Sequence, residues 1–437
     1  MAGQFTRNVF IKPFERATVA SMEEELLIVQ SATTSLMDGC SELDTAKRLT
    51  DISLAIEDIL CVNQTVEKST ALDLLLLETT TRMAVAGSEV TVESILPSLE
   101  SAEGMRYTAE GLTAFLEKLW KQIVEAVKKA WAAITDFFYK IFGTIPRMRS
   151  SLKELKKKVQ ARDNYDNWPT QLDMGTEVSV LMTDGKMPIR ARDYEDIAGR
   201  VADQVEFYLR TYVRAAKDAY ESVKDGMGEF DNYPPAEALN RLSNACQTLI
   251  ATMAPPGAIL TPARDRRFTD GEYLALPPLP SNRSVFIKRT EIPDAGKPLE
   301  RAEAIKANYP IVQMTSYFQK DSAPKSYQFE APSAMDVVSL CDIMLGICDI
   351  VEEFGRGNVF REMKKAKEEL LATTNDLVSK SNSLEINDEK QLFYKAGIGF
   401  NFYLASSVMQ PCAQLTGIAM NMNRVLLHLC EKAYSAA

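Results

Sequence analysis

Between residues 112 and 142 the chain carries one uninterrupted apolar stripe. Leu116, Trp120, Ile123, Val127, Ala130, Ile134, Phe137 and Ile141 recur in alternating steps of four and three. Only an α-helix gathers such positions on one face. Lys118, Lys121, Glu125, Lys128 and Asp136 fall away from the stripe. At 1.5 Å per residue the helix would run roughly 45 Å. Gly143 and Pro146 carry the chemistry of a helix stop, so the spacing predicts an end there. Ser151 and Glu154 then cap a second, strongly basic helix, SLKELKKKVQAR.

The rest of the chain reads as mainly α. Ser21 followed by Glu24 fits a capping box, and Leu43, Ala46, Leu49, Ile52, Ile56 and Ile59 recur at helical spacing, so the first hundred residues are expected to be helical. Pro97 closes that pattern and opens a small, polar linker, PSLESAEGMRYTAEG. Past a break at 164–169, residues 178–182 fit a short strand or a helix end equally well. Residues 193–224 predict a helix with Val201, Val205, Tyr208, Tyr212, Ala216 and Tyr220 on one side, and 236–253 another. Residues 255–324 are loop-rich, with a strand expected at 284–288. Helices at 334–354, 360–379 and 389–432, the last open to a break at Pro411, suggest an antiparallel bundle. The expected architecture is therefore one of helical bundles with a long amphipathic helix and a small loop/β-containing insertion. It divides into an acidic helical leader (1–100), a linker with basic amphipathic helices (101–162), a mixed helical domain with a loop/β segment (163–330) and a C-terminal helical bundle (331–437).

Charge is unevenly spread along this plan. The first hundred residues hold 7 Lys/Arg against 16 Asp/Glu, a net of −9 out of the chain's −10. Residues 101–160 reverse the sign, with 12 Lys/Arg against 6 Asp/Glu. An acidic helical region is thus followed directly by a basic one.

The residues that catalysis would need are sparse. His428 is the only histidine, which excludes a two-histidine metal site and weakens any Ser/His or Cys/His pair. Its setting, VLLHLC, suggests a core or helix-end histidine. The seven cysteines are dispersed, odd in number and without a CxxC pair, as expected of free thiols in a reducing compartment. Cys341 and Cys348, seven apart, are expected to pack in a core. Neither GxGxxG after a strand nor GxxxxGK[ST] occurs. The opening residues lack a secretory apolar run, and no stretch is long and apolar enough to span a bilayer. No cofactor, no metal and no enzymatic activity are expected, and the product is expected to stay in the cytoplasm in which it is made or in a particle assembled there.

Three readings of the 112–142 helix remain open from the residues alone. Its apolar face packs into the protein's own bundle; or it lies on a membrane surface, through Trp120 and Trp131 beside Lys118, Lys121 and Lys128. In the third, the same lysines with Lys153, Lys156, Lys157 and Lys158 neutralise nucleic-acid phosphate without reading bases.

An acidic helical leader, a linker with SLE and SAE tripeptides, and a helix of the form FLEKLWKQIVEAVKKAWAAITDFFYKIF together resemble the internal head (inner-body) proteins of giant phiKZ-like tailed bacteriophages. The resemblance covers about residues 24–160. It implies a virion structural protein of the capsid interior, with the phage capsid or other internal head proteins as partners. It also implies a propeptide removed by a prohead protease that cuts after Glu in a small-x-Glu motif. Ser98-Leu99-Glu100 and Ser101-Ala102-Glu103 match that motif, Thr108-Ala109-Glu110 more loosely, which makes Glu100 and Glu103 the expected cleavage residues. Genomic DNA, ejection with the genome and a membrane surface follow as further expectations. An uncleaved assembly scaffold is the remaining alternative.

Overall fold

The computed structural model describes residues 31–36, 49, 109–228, 235–262, 273–288, 312–316, 327–381, 396–397, 400, 403–404 and 408–437. Mainly α, as the sequence predicts, the fold is organised by two helices of different character. The first, α1 (Ala109–Gln160), is 52 residues long. Its stripe is buried as expected: Trp120, Ile123, Val127, Ala130, Ile134, Phe137 and Ile141 are all at most 4% exposed.

The predicted stop at Gly143 and Pro146 is overridden, and the two expected helices are one. A proline inside a helix costs about 3 kcal/mol through its missing N–H and its ring. Here the apolar face continues across it, with Ile145, Met148, Leu152, Leu155 and Val159 buried beyond. Full burial of each large apolar side chain contributes about 1.5–3 kcal/mol, so the packing gain exceeds the proline penalty. Pro146 itself is exposed, and its ring meets solvent instead of a packed neighbour.

A two-stranded ribbon follows, in which β1 (Gln171–Met174) pairs antiparallel with the distant β6 (Tyr327–Glu330). The undecided segment is a 3-10 helix, Thr176–Leu181. Beyond it Asp184 and Gly185 both take positive φ, 50° and 72°, between bridged Thr183 and Lys186, as a type I′ hairpin turn requires.

The predicted helix at 193–224 is present but interrupted. It comprises α2 (Ala191–Glu206), a π-helical turn (Phe207–Tyr212) and α3 (Val213–Gly228). Around the widened turn the Tyr208 hydroxyl donates to the Met253 carbonyl at 2.8 Å, and the Tyr212 and Tyr403 hydroxyls meet at 3.2 Å. The Cys412 thiol donates to the Tyr208 carbonyl.

Helix α4 (Pro235–Ala251) packs on α3. A four-stranded antiparallel sheet in the order β2 (Thr261–Pro262), β3 (Tyr273–Ala275), β4 (Arg283–Lys288), β5 (Val312–Ser316) runs through the segment expected to be loop-rich. The one strand expected there, 284–288, is its longest member, β4.

Helix α5 (Ala334–Arg356) opens on a capping box between Ser333 and Asp336. Only Gly357 separates it from α6 (Asn358–Ser381). The last helix, α7 (Met409–Ala436), is buried round nearly its whole circumference, the mark of a central helix. It touches α1, α2, α5 and β5. The expected 389–432 helix is not continuous up to Pro411: Val408 is a turn residue and α7 starts at Met409, which puts Pro411 in the first turn, where its missing N–H leaves no intrahelical bond unmade. One core cluster joins residues of α1 through α7, and Ala32, Leu36 and Leu49 from the leader also belong to it.

Helices α1 and α5 run antiparallel in a seven-residue register. Lys156 meets Asp342, Arg149 meets Asp349, and Phe142 lies against the backbone at Gly355. A Cβ at Gly355 would fall within the Phe142 ring, so only glycine fits there. The bundle's aromatic corner sits at this end: Phe138 lies 5.4 Å from Phe137, 5.6 Å from Phe142, 5.3 Å from Phe354 and 5.1 Å from Phe360, between ring centroids.

Candidate functional site: the basic side of the long helix

The basic residues of α1 divide into those spent on internal pairing and those facing water. Arg149, 22% exposed, reaches both Asp349, at 2.5 Å, and the nearly buried Glu352. Burial disfavours its charge, but the Glu352 and Asp349 carboxylates outweigh that and raise its pKa. Arg356 supplies Glu352 with a second cation. Lys156 pairs with Asp342 at 2.5 Å. A parallel ladder ties α3 to α6: Lys217 to Glu362 at 2.9 Å and Lys224 to Glu369 at 2.7 Å. Arg210, on the π-helical turn, bridges Glu206 and Glu353 at 2.5 Å each. Helices α5 and α6 therefore form an acidic rail held between basic residues of the helices beside them.

The charge on that rail sets an acid limit. Hydrogen bonds from Lys224 and then Tyr220 hold the Glu369 carboxyl down at about 2 against an ordinary 4.5, with burial opposing and Lys365 assisting. A carboxyl depressed on folding stabilises the fold above its unfolded pKa and loses that contribution as pH falls through the folded value. The α3–α6 contact is therefore expected to weaken between pH 4.5 and 2. Acid titration followed by circular dichroism should show that phase in the parent chain, and Glu369→Gln should flatten it.

Each residue singled out in the sequence has a definite place. Trp120 and Trp131 are core residues at 4% and 2% exposure, so the indoles face the bundle. Lys118 lies on α1, its side chain outside the described residues. Lys121, Lys153 and Lys157 are exposed, as is Lys129, and none of these four has an ion-pair partner among the described residues. Lys128 and Lys158 are exposed and make only local pairs, with Glu125 at 2.8 Å and Glu154 at 2.7 Å. Exposed pairs of this kind add little to stability and yield readily to another anion. Of the predicted contact lysines whose side chains are described, Lys156 is the one ion-paired to another helix. Glu100 and Glu103 lie outside the described residues, while the looser match, Ala109–Glu110, starts α1.

Of the core and helix-end readings of His428 the core one falls: its side chain is 48% exposed, and Nε2 stands 3.9 Å from Glu177. The neighbouring leucines face inward and turn this position outward. The sequence also did not single out Arg149, whose acidic partners come from a helix 200 residues away.

Nothing in the described thiols favours nucleophilic chemistry. Cys246, Cys341, Cys348, Cys412 and Cys430 are free and buried. Burial pushes the Cys341 and Cys348 thiols up to about 12, which suppresses the thiolate. Among the described residues no cluster of three metal-ligating side chains occurs, and no helix is long and apolar enough to cross a membrane.

The described residues thus form a helical body cross-tied by ion pairs, with exposed lysines along α1 and buried thiols. The chain belongs to the phiKZ-like phage internal head proteins, whose family pattern matches residues 43–432. That match extends through the C-terminal half, well past residue 160. It makes the protein a structural component of the phage capsid interior. No curated protein and no solved structure matches the chain.

Proposed function

We propose that this internal head protein is matured by removal of its acidic leader and then associates with genomic DNA through the outer face of α1. The observation that carries the reading is the segregation of charge. A net of −9 sits in the first hundred residues, ahead of a helix whose Lys121, Lys129, Lys153 and Lys157 face water without ion-pair partners among the described residues. A leader of that charge shields the basic face electrostatically while the chain is soluble in the host cytoplasm. A prohead protease cutting after Glu100 or Glu103 removes the shield once the chain is enclosed. DNA is then met as phosphate and not as sequence, because a run of lysines neutralises backbone charge whatever the bases are. The mature protein fills or organises the head interior, and a DNA-bound protein of this kind can leave with the genome.

The test is the N-terminus of the protein recovered from virions, by mass spectrometry. A start at Ser101 or Gly104 is expected. A start at Met1 or Ala2 overturns the propeptide and favours the uncleaved scaffold. DNA affinity measured across a salt series should then be higher for the leaderless chain and fall linearly in log–log form as salt rises. Equal, weak binding of both forms would remove DNA from the reading.

The membrane-surface alternative needs Trp120 and Trp131, both of which are core residues here. It therefore requires α1 to leave the bundle. Vesicle binding abolished by changing both tryptophans would support it.

A further inference from the structure

A groove of about 350 Å3 opens between α1 and α6. Lys128, Trp131, Asp136 and Tyr139 line it from α1, and Lys364 and Lys367 from α6. Lys128 and Tyr139 are exposed and lie off the α1 stripe, and Trp131 is the buried member of this wall. Lys364 and Lys367, three apart, share one face of α6.

Lys367 is the unusual member. It is only 8% exposed, whereas lysine is almost never buried without a paired anion. Among the described residues its nearest carboxylate is that of its chain neighbour Glu368, at a loose 3.7 Å, and Glu368 itself is exposed. Its ammonium lies 5.6 Å from the centroid of the Trp131 ring, a contact that offsets part of the desolvation. Burial lowers the Lys367 pKa, and the neighbouring Lys364 and Lys128 charges add to that, with Glu368 opposing. The acid on the opposite wall, Asp136, is held by Lys140 at 2.7 Å, and Lys128 by exposed Glu125 at 2.8 Å. Three lysines thus converge on a cavity whose one lining carboxylate is already engaged.

We infer that the groove between α1 and α6 binds a phosphate group, held by Lys364 and Lys367 with Lys128 at the rim. A phosphate is a doubly or singly charged oxyanion that accepts several charge-assisted hydrogen bonds at once, which matches three ammonium groups around one space. The groove is larger than one phosphate, and Tyr139, 46% exposed, offers a ring beside it for whatever the phosphate carries. The group comes either from free phosphate or from the backbone of nucleic acid. In the second case the inference deepens the DNA association proposed above, by giving it a built contact point.

The experiment uses the full chain and two probes, inorganic phosphate and a single-stranded thymidine oligonucleotide. Thermal unfolding is followed in phosphate and in chloride at equal ionic strength, since a ligand of the native state raises the midpoint by an amount that grows with the logarithm of its concentration over Kd. Phosphate is expected to raise the midpoint of the parent chain. In Lys364→Ala, whose side chain is exposed and whose loss leaves packing intact, phosphate should bind on the order of tenfold more weakly. Lys367→Met keeps the buried stem, removes the charge and should abolish the phosphate response. Equal midpoint increments in the parent, Lys364→Ala and Lys367→Met overturn the site. The oligonucleotide separates the sources: competition with phosphate that both variants weaken assigns nucleic-acid phosphate. Oligonucleotide binding that ignores the variants, or is absent while the phosphate response persists, assigns free phosphate and leaves this site standing even if the DNA association fails.

Discussion

Phe138→Ala is expected to destabilise the fold by about 3–5 kcal/mol, the cost of truncating a fully buried phenylalanine. Phe138 is 0% exposed and is the ring where four others meet: Phe137 and Phe142 on its own helix, Phe354 at the end of α5 and Phe360 at the start of α6. Removing it leaves a void where three helices come together. The Phe142 ring, already against the Gly355 backbone, has little room to move into it. Offset and edge-on ring pairs add about 0.5–1.5 kcal/mol beyond their buried area, which places this position at the upper end of the range. Urea unfolding should show a lower midpoint with an unchanged slope. A loss below 1 kcal/mol would mean that the aromatic corner is not packed as described. Phe138→Leu, which keeps much of the volume, should recover part of the loss.

The second large effect is electrostatic. Arg149→Ala is expected to cost about 2–3 kcal/mol, because it removes two charge-assisted hydrogen bonds and leaves the poorly solvated Glu352 carboxylate without one of its two cations. Breaking a fully buried pair costs about 3–5 kcal/mol. The smaller figure follows because Arg356 still faces Glu352 and because Asp349 is well exposed. A double-mutant cycle with Glu352→Gln separates the pair from its surroundings: the double variant should be markedly less destabilised than the sum of the singles. Additive losses would show that Arg149 acts through its stem and not its charge. Lys121→Ala and Lys157→Ala, on the water-facing side of the same helix, should change stability by no more than about 0.5 kcal/mol. Any effect of those two on DNA affinity would then be free of a folding contribution.

Much of the fold is legible one helix at a time. The 3-4 spacing of Trp120 through Ile141 specifies both that α1 is helical and which face it buries, because a regular helix converts spacing into direction whatever it packs against. The same reasoning places α5 and α6 to within a few residues, and Cys341 and Cys348 in the core. The charge boundary near residue 100 needs no structure at all, being a property of composition.

What the tertiary structure alone decided involves energies that no local pattern contains. Pro146 lowers helix propensity, yet α1 continues, because burial of residues beyond it on α5 and α7 exceeds that local penalty. The π-helical turn at Phe207–Tyr212 has no sequence signature, since it serves the register between Tyr208, Tyr212 and partners at Met253, Tyr403 and Cys412. The division of the lysines is of the same kind. Lys156 and Lys157 are adjacent and chemically identical, but one points to Asp342 on α5 and the other to water. Lys367 reads as one more charge on a polar helix until α1 closes over it. Sequence determined which segments are helical and which face of each is apolar, because both follow from chain neighbours. Which charges are spent inside the protein and which remain for a partner was decided by residues some 150–200 positions apart, and only folding brings those together.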